Sequence, residues 1–194
     1  MRGINKSRRG QQEQQGFTMV ELLIVVAIIL IIAAIAIPNL LRSKISANEA
    51  AAASALKTIG TSNVLYSTLY NQGFAGSLAQ LGPTGGSCAT VSSACADLLD
   101  SLLSGVSPPT PAPTKNGYTF TYATPSASPT PTAPNGSYSA VATPAGPGST
   151  GVSTFCMDGG NIYVIWRDTS GGATSASPSG CRGTWTPGGT IGPL

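Results

Sequence analysis

Hydrophobic residues are spread unevenly along the chain, and the longest apolar run lies near its start. Residues 22–37 form 16 consecutive apolar positions, and Thr18 and Glu21 are the polar interruptions between residues 17 and 37. A helix of that length measures about 31 Å, which is enough to cross a bilayer core of about 30 Å. The pattern therefore predicts a membrane-spanning helix over residues 17–38.

Beyond the span the chain changes to a helical repeat with one apolar face. Apolar residues recur every seven positions, with two more on the adjoining row, and charged residues fall elsewhere. This spacing predicts an amphipathic continuation over residues 39–71, so that one helix of roughly 80 Å runs from Phe17 to about Asn71. The repeating positions are Ile45, Ala52, Ile59 and Tyr66, with Leu56 and Tyr70 beside them.

The remainder of the chain, from Gln72, is rich in turn residues and short apolar runs. We predict a helical turn over Ser77 to Leu81, stopped by Gly82-Pro83, and a short helix from Ala94 to Leu103. Alternating runs then predict strands of a small antiparallel sheet. These are Tyr118 to Tyr122, Tyr138 to Ala142, Thr154 to Met157 and Ile162 to Trp166, the last two joined by a hairpin turn over Asp158-Gly159-Gly160-Asn161.

These elements predict an α+β fold. The rear half of the long helix packs on an antiparallel sheet of three to four strands, within an exported domain of residues 72–168. A Gly/Ser/Pro-rich tail, residues 169–194, is expected to be irregular. Two Pro/Ser/Thr-rich segments, Ser107 to Thr114 and Thr124 to Pro134, are expected to be disordered loops, with O-glycosylated stalks as the alternative. Asn135-Gly136-Ser137 matches the N-glycosylation pattern, which we interpret as chance.

Charge is scarce and sits at one end. Charged residues make up 9% of the chain, which has no histidine and a net charge of +3. Residues 1–16 contain four basic residues and one acid, whereas the rest of the chain has six of each. The composition argues against acid–base catalysis, and no basic face remains for nucleic acid. The basic leader is expected to stay in the cytoplasm while the chain beyond the span is exported.

The four cysteines all follow the span. On the exported side they are expected to form disulfides, for which three connectivities are possible. We favour Cys88 with Cys95 and Cys156 with Cys181, because a proline-rich connector over residues 107–116 separates two locally closed units. Zinc is a weak alternative, since C-x6-C without histidine matches no familiar site.

Two ordinary explanations of the apolar run leave its first residues unexplained. Ala34-Ile35-Ala36 resembles a signal-peptide cleavage site, and a plain single-span anchor would also fit the length. Neither accounts for Gly16-Phe17-Thr18-Met19-Val20-Glu21, where an acid stands at the edge of a hydrocarbon-length run. An ionisable residue in that position costs roughly 2.5 to 3.5 kcal/mol and implies a partner.

The segment from Gly16 to Leu41, with its short basic leader, resembles the amino-terminal signature of type IV pilins and of the pseudopilins of type II secretion. The resemblance implies that a prepilin peptidase cuts after Gly16 and methylates Phe17, and that Glu21 directs assembly. Pro38 is the expected kink site of the helix. The chain has Leu30 where family members often have a glycine.

The chemistry of Glu21 fits that role. Cleavage after Gly16 creates a charged amine on Phe17, which methylation would leave charged. In a bundle of such helices, the carboxylate of one copy meets the amine of its neighbour only at a defined axial offset. A buried ion pair adds little net stability but is costly when one partner is missing, so it fixes the register.

The sequence therefore predicts a structural subunit and not an enzyme, with no cofactor and no direct nucleic-acid partner. It would reside in the inner membrane and polymerise with copies of itself and other pilins, after processing by prepilin peptidase and with the help of an assembly platform. The alternative is a monomeric membrane-tethered binding module. Calcium, which related pseudopilins often bind, is a weaker possibility at Asp158 and Asp168, and no metal site is predicted.

Overall fold

The computed structural model describes residues 16–83, 87–106, 112–159, 165–169, 181 and 191–193. Most of the leader, residues 107–111, residues 160 and 161 of the predicted hairpin turn, residues 162–164 of the strand predicted after it, and most of the tail lie outside these residues. By its internal contacts the chain divides into two compact units, residues 1–40 and 41–194.

The long helix is present with nearly the predicted bounds. Helix α1 spans Met19–Tyr70, and Pro38 lies inside it. In the first unit its side chains are almost all exposed, whereas in the second unit one face is buried under the sheet. The buried face carries the predicted heptad positions from Ala52 onward, and Asn63 lies within it. Its buried residues are Ala52, Leu56, Ile59, Gly60, Ser62, Asn63 and Tyr66.

The described part of the chain contains a six-stranded antiparallel sheet in sequence order. Its strands are β1 (Thr114–Lys115), β2 (Tyr118–Ala123), β3 (Ser139–Pro144), β4 (Thr154–Asp158), β5 (Trp166–Asp168) and β6 (Ile191–Pro193). The α+β class is confirmed, with more strands than the three or four predicted. The expectation of an irregular tail was wrong at residues 191–193, because a three-residue strand containing Gly192 and Pro193 gives almost no alternation to read.

Alternation along the strands divides the core in two. Phe155 and Met157 of β4 pack with the buried face of α1, while Cys156 between them points to the other side. There it meets Val141, Cys181 and Trp166 in a second, smaller cluster. The residue at 181 therefore helps to cover the sheet face that α1 leaves open.

The predicted second helix is absent. Residues 96–100 are not helical, and residues 101–105 form turns. A disulfide holds Cys95, and the chain behind it pairs with α2 (Leu78–Leu81) through Ala96 N–H to Gln80 O and Leu98 N–H to Leu81 O. These tertiary bonds overrode the local apolar pattern. The predicted turn over Ser77 to Leu81 is confirmed as α2, with Ser77 as its N-cap.

The segment from Thr124 to Pro134 is an ordered loop, contrary to the expectation of disorder. Asn135, 2% exposed, organises it by donating to the carbonyls of Phe74 and Ser126 and accepting from the Ser126 N–H. Gly73, with φ +70°, lies so close to the Asn135 backbone that a side chain there would collide with it. An asparagine held in this way is not available to a glycosyltransferase in the folded protein.

Candidate functional site

The residues of the predicted processing site lie directly before α1. Gly16, Phe17 and Thr18 precede the first helical residue, Met19. Apart from its chain neighbours, no atom of the described residues lies within 4 Å of a Cβ built on Gly16. The Phe17 side chain is 85% exposed. The peptide bond between Gly16 and Phe17 is thus sterically accessible.

Thr18 and Glu21 form a reciprocal cap at the start of α1. The Thr18 N–H and hydroxyl both donate to Glu21 Oε2, at 2.9 and 2.7 Å, and the Glu21 N–H donates to Thr18 Oγ1 at 3.3 Å. This is a capping box, in which two otherwise unpaired N–H groups of the helix start are satisfied by side chains. Our sequence reasoning missed the role of Thr18, although the spacing T-x-x-E is a known signal for it.

The cap explains how the span tolerates two polar residues. Thr18 and Glu21 satisfy each other within one turn, so neither needs a partner from outside the chain while the helix is alone. Within the described residues Glu21 Oε1 accepts no bond, because all the contacts of the carboxylate go to Oε2. One oxygen of the carboxylate is therefore left for a further donor.

The rest of the span offers only apolar surface. Helix α1 is long and apolar enough over its first part to cross a membrane, and no residue of its most apolar stretch is buried. Leu30 is 63% exposed, like its neighbours along the run. Large apolar side chains exposed in every direction are stable in lipid or against other apolar helices and not in water.

A second polar site, which sequence reasoning missed, lies in the second unit, residues 41–194. Glu49 Oε1 accepts the N–H groups of Val152 and Ser153 at 3.1 and 3.0 Å, and Oε2 accepts from Arg167 at 2.9 Å. The adjacent Asn48 donates to Thr150 O. We call Asn48, Glu49 and their partners the helix–loop latch, because they fasten α1 to the β3–β4 loop and to β5.

The latch shifts the ionisation of Glu49. Partial burial raises the pKa of its carboxyl, but the backbone bonds from Ser153 and Val152 and the nearby Arg167 charge outweigh burial and leave the pKa below its ordinary value. The latch is therefore charged at neutral pH. No local pattern could have revealed it, since its partners lie more than 100 residues away from Glu49 along the chain.

The disulfides in the structure are the pairs favoured from the sequence, Cys88 with Cys95 and Cys156 with Cys181. Tyr66 of α1 donates to the Ser93 carbonyl inside the first loop at 2.8 Å, which fixes that loop on the helix. The second disulfide lies in the small cluster behind the sheet, where both cysteines are buried.

The two acids considered for calcium do not converge. Asp168 pairs with Thr154 at the start of β4, whereas Asp158 is the last residue of that strand. Four residues along a strand separate them by about 13 Å. Asp158 Oδ2 instead accepts the Cys181 N–H at 3.3 Å. Among the described residues no group of three or more acidic, cysteine or histidine side chains is placed to hold a metal.

Comparison with known proteins supports the reading of the amino terminus. The family model "Prokaryotic N-terminal methylation motif" matches residues 12–37. Neither curated proteins nor solved structures gave a significant match to the chain. The chain thus carries the signature of type IV pilins and pseudopilins, which points to a structural subunit anchored by an apolar N-terminal helix.

Proposed function

We propose that this protein is a prepilin that is cleaved after Gly16, N-methylated on Phe17 and polymerised into a filament, either a type IV pilus or a type II secretion pseudopilus. The observation that carries the proposal is the position of Gly16 to Glu21 at the N-terminus of a helix whose apolar side chains are exposed on all sides in its first unit. Such a helix needs a membrane before assembly and other helices after it.

The capped carboxylate gives the assembly step a specific chemistry. Glu21 keeps Oε2 on its own Thr18, while Oε1 receives the amine of Phe17 from a second copy. The amine belongs to a residue four positions earlier, so the second copy is displaced by about 6 Å along the helix axis. Removal of either charge leaves the other buried and unpaired, which selects this register over its neighbours.

Localisation and partners follow from the same assignment. The basic leader remains in the cytoplasm, and the exported unit, residues 41–194, is on the opposite side of the inner membrane. The cysteines form their disulfides in that compartment. Prepilin peptidase, an assembly platform and other pilins are the expected partners. Pro38 is the proposed point at which the helix bends when it leaves the bilayer, because proline removes one backbone hydrogen bond inside α1.

Mass spectrometry of the membrane-bound and sheared filament fractions tests the proposal. We expect a mature chain that starts at N-methylated Phe17, and a Gly16→Val variant that stays full-length and monomeric. Two results would instead support the monomeric binding module. One is an unprocessed Met1 start in both fractions, and the other is a Gly16→Val chain that has the same length and surface display as the wild type. If cells that make this chain bear no surface fibres, and cells that lack it fail to export secreted enzymes, the filament is a pseudopilus.

A further inference from the structure

We propose that a second ion pair, between Asp97 of one copy and Lys57 of the next, joins the exported units in the same register as the Glu21 pair. The inference rests on the proposed function, because it needs a filament. It names the surface by which one exported unit recognises another copy of the same chain.

The Asp97 carboxylate is held outward by its backbone. Asp97 is exposed and has φ +53°, a left-handed conformation that aspartate tolerates better than most residues. The residues on both sides are fixed, since Ala96 N–H bonds Gln80 O at 2.9 Å and Leu98 N–H bonds Leu81 O at 2.7 Å. The acid therefore projects from a fixed part of the surface and not from a mobile tip.

Lys57 lies on the exposed face of α1, on the same unit. Among the described residues neither the Lys57 ammonium nor the Asp97 carboxylate has a hydrogen-bond or ion-pair partner within its own chain. Two ion pairs between described residues of this unit are closed within the chain. They are Glu49 with Arg167 and Lys115 with Asp100.

The axial positions of the two residues can be compared along α1. Ser62 Oγ donates to the Leu98 carbonyl at 2.8 Å, so Asp97, one residue away, lies near the level of Ser62. Lys57 is five residues before Ser62, or about 7.5 Å lower along the helix. A copy raised by about that distance brings its Lys57 to the level of Asp97.

The proposed assembly contact supplies that displacement in the same direction. The copy that donates the Phe17 amine is raised by about 6 Å relative to the copy that contributes Glu21. A screw axis moves every atom of a copy by the same axial distance. The raised copy thus brings Lys57 close to the axial level of Asp97 of the copy that contributes Glu21, and the flexible lysine stem spans the remaining axial difference.

Cysteine crosslinking within filaments tests the contact directly. The native cysteines are all in disulfides. We expect a Lys57→Cys/Asp97→Cys chain to give a ladder of disulfide-linked dimers and larger species on a non-reducing gel after mild oxidation. The matched control is Lys44→Cys/Asp97→Cys, whose cysteines would stand about 20 Å apart axially in the same register and should give no ladder. A ladder from both pairs, or from neither, overturns the proposal.

Charge exchange supplies a second, independent readout. Lys57→Asp and Asp97→Lys should each lower filament yield by about threefold or more at low salt, and the double exchange should restore it. Unchanged thermal unfolding of each variant monomer verifies that the fold is intact. A double exchange no better than the single variants would refute the pair.

The two proposals fail in different ways. Wild-type chains that give no sedimentable filament remove the proposed function. Wild-type chains that polymerise, while the Lys57/Asp97 pair gives no ladder, leave that function standing and remove only this contact.

Discussion

Two glutamates of α1, Glu21 in its first turn and Glu49 near its middle, make opposite kinds of contact. Among the described residues the Glu21 carboxylate accepts only from Thr18, three residues away, whereas the Glu49 carboxylate accepts from groups 103 to 118 residues distant. The first carboxylate has one oxygen without a donor among those residues. The second uses both oxygens inside its own chain. The same residue type thus closes a local cap in the first unit, where we propose that it also serves assembly, and joins distant parts of the chain in the second unit.

Removal of the Glu21 carboxylate should have the largest effect on filament yield and leave the second unit, residues 41–194, folded. In Glu21→Ala the neighbour's Phe17 amine would be buried unpaired on docking, at a cost of about 3 to 5 kcal/mol. That is a factor of about 10² to 10³ or more at every addition step. We expect processed monomer to accumulate, measured as the ratio of membrane monomer to sedimentable filament. Normal filament yield from this variant would remove Glu21 from its role.

Opening the second disulfide should lower the stability of the second unit against unfolding and leave cleavage after Gly16 unchanged. In Cys156→Ala/Cys181→Ala the loop between these residues is released, which costs about 2 to 4 kcal/mol in the chain-entropy description. The variant should unfold at lower denaturant concentration, followed by tryptophan fluorescence because Trp166 packs in the same cluster. The Cys88–Cys95 disulfide closes a smaller loop, so Cys88→Ala/Cys95→Ala serves as the comparison, for which a smaller loss of stability is expected.

Truncation of Glu49 in the latch should also lower the stability of the second unit, and it should leave the proposed assembly contact of Glu21 intact. Glu49→Ala leaves the Val152 and Ser153 N–H groups and Nη2 of Arg167 without their acceptor, at a cost of about 2 to 3 kcal/mol. Mass spectrometry should still find a mature Phe17 start. Equal stability of Glu49→Ala and wild type in urea titration at pH 7 would mean that the latch contributes nothing.

The latch also predicts a pH dependence. The pKa of Glu49 is lowered on folding, so its contribution is complete above the ordinary glutamate pKa and is lost as the pH falls through the lower value of the folded state. The stability difference between wild type and Glu49→Gln should therefore be constant near neutral pH and shrink below about pH 4. A difference that grows with acid would have the wrong sign.

The smallest expected effect concerns a buried hydroxyl. Tyr138 is fully buried, and its hydroxyl has no hydrogen-bond partner among the described residues. Its ring packs edge-on against Phe74 and stacks on Tyr122. Tyr138→Phe keeps both ring contacts and removes the unpaired group, so the free energy of unfolding should stay the same or rise by about 1 kcal/mol. A loss of more than that would reveal a partner for the hydroxyl.

Local patterns carried the prediction far in the first unit. An uninterrupted apolar run determines a helix whatever surrounds it, and the T-x-x-E spacing closes its cap within one turn. The disulfide pairing could also be favoured from chain connectivity alone. In the first unit the interacting groups are neighbours in sequence, so the sequence by itself determined the apolar helix and the cap at its start, although our sequence analysis did not recognise that cap.

Only the tertiary structure decided the rest. The latch of Glu49, the organising role of Asn135, the separation of Asp158 from Asp168 and the strand at residues 191–193 all depend on groups brought together by the sheet. The apolar pattern of Ala94 to Leu103 lost its helix because the disulfide and the pairing with α2 offered that backbone other hydrogen bonds. Each of these outcomes depends on contacts between distant residues, which no local pattern of hydrophobicity encodes.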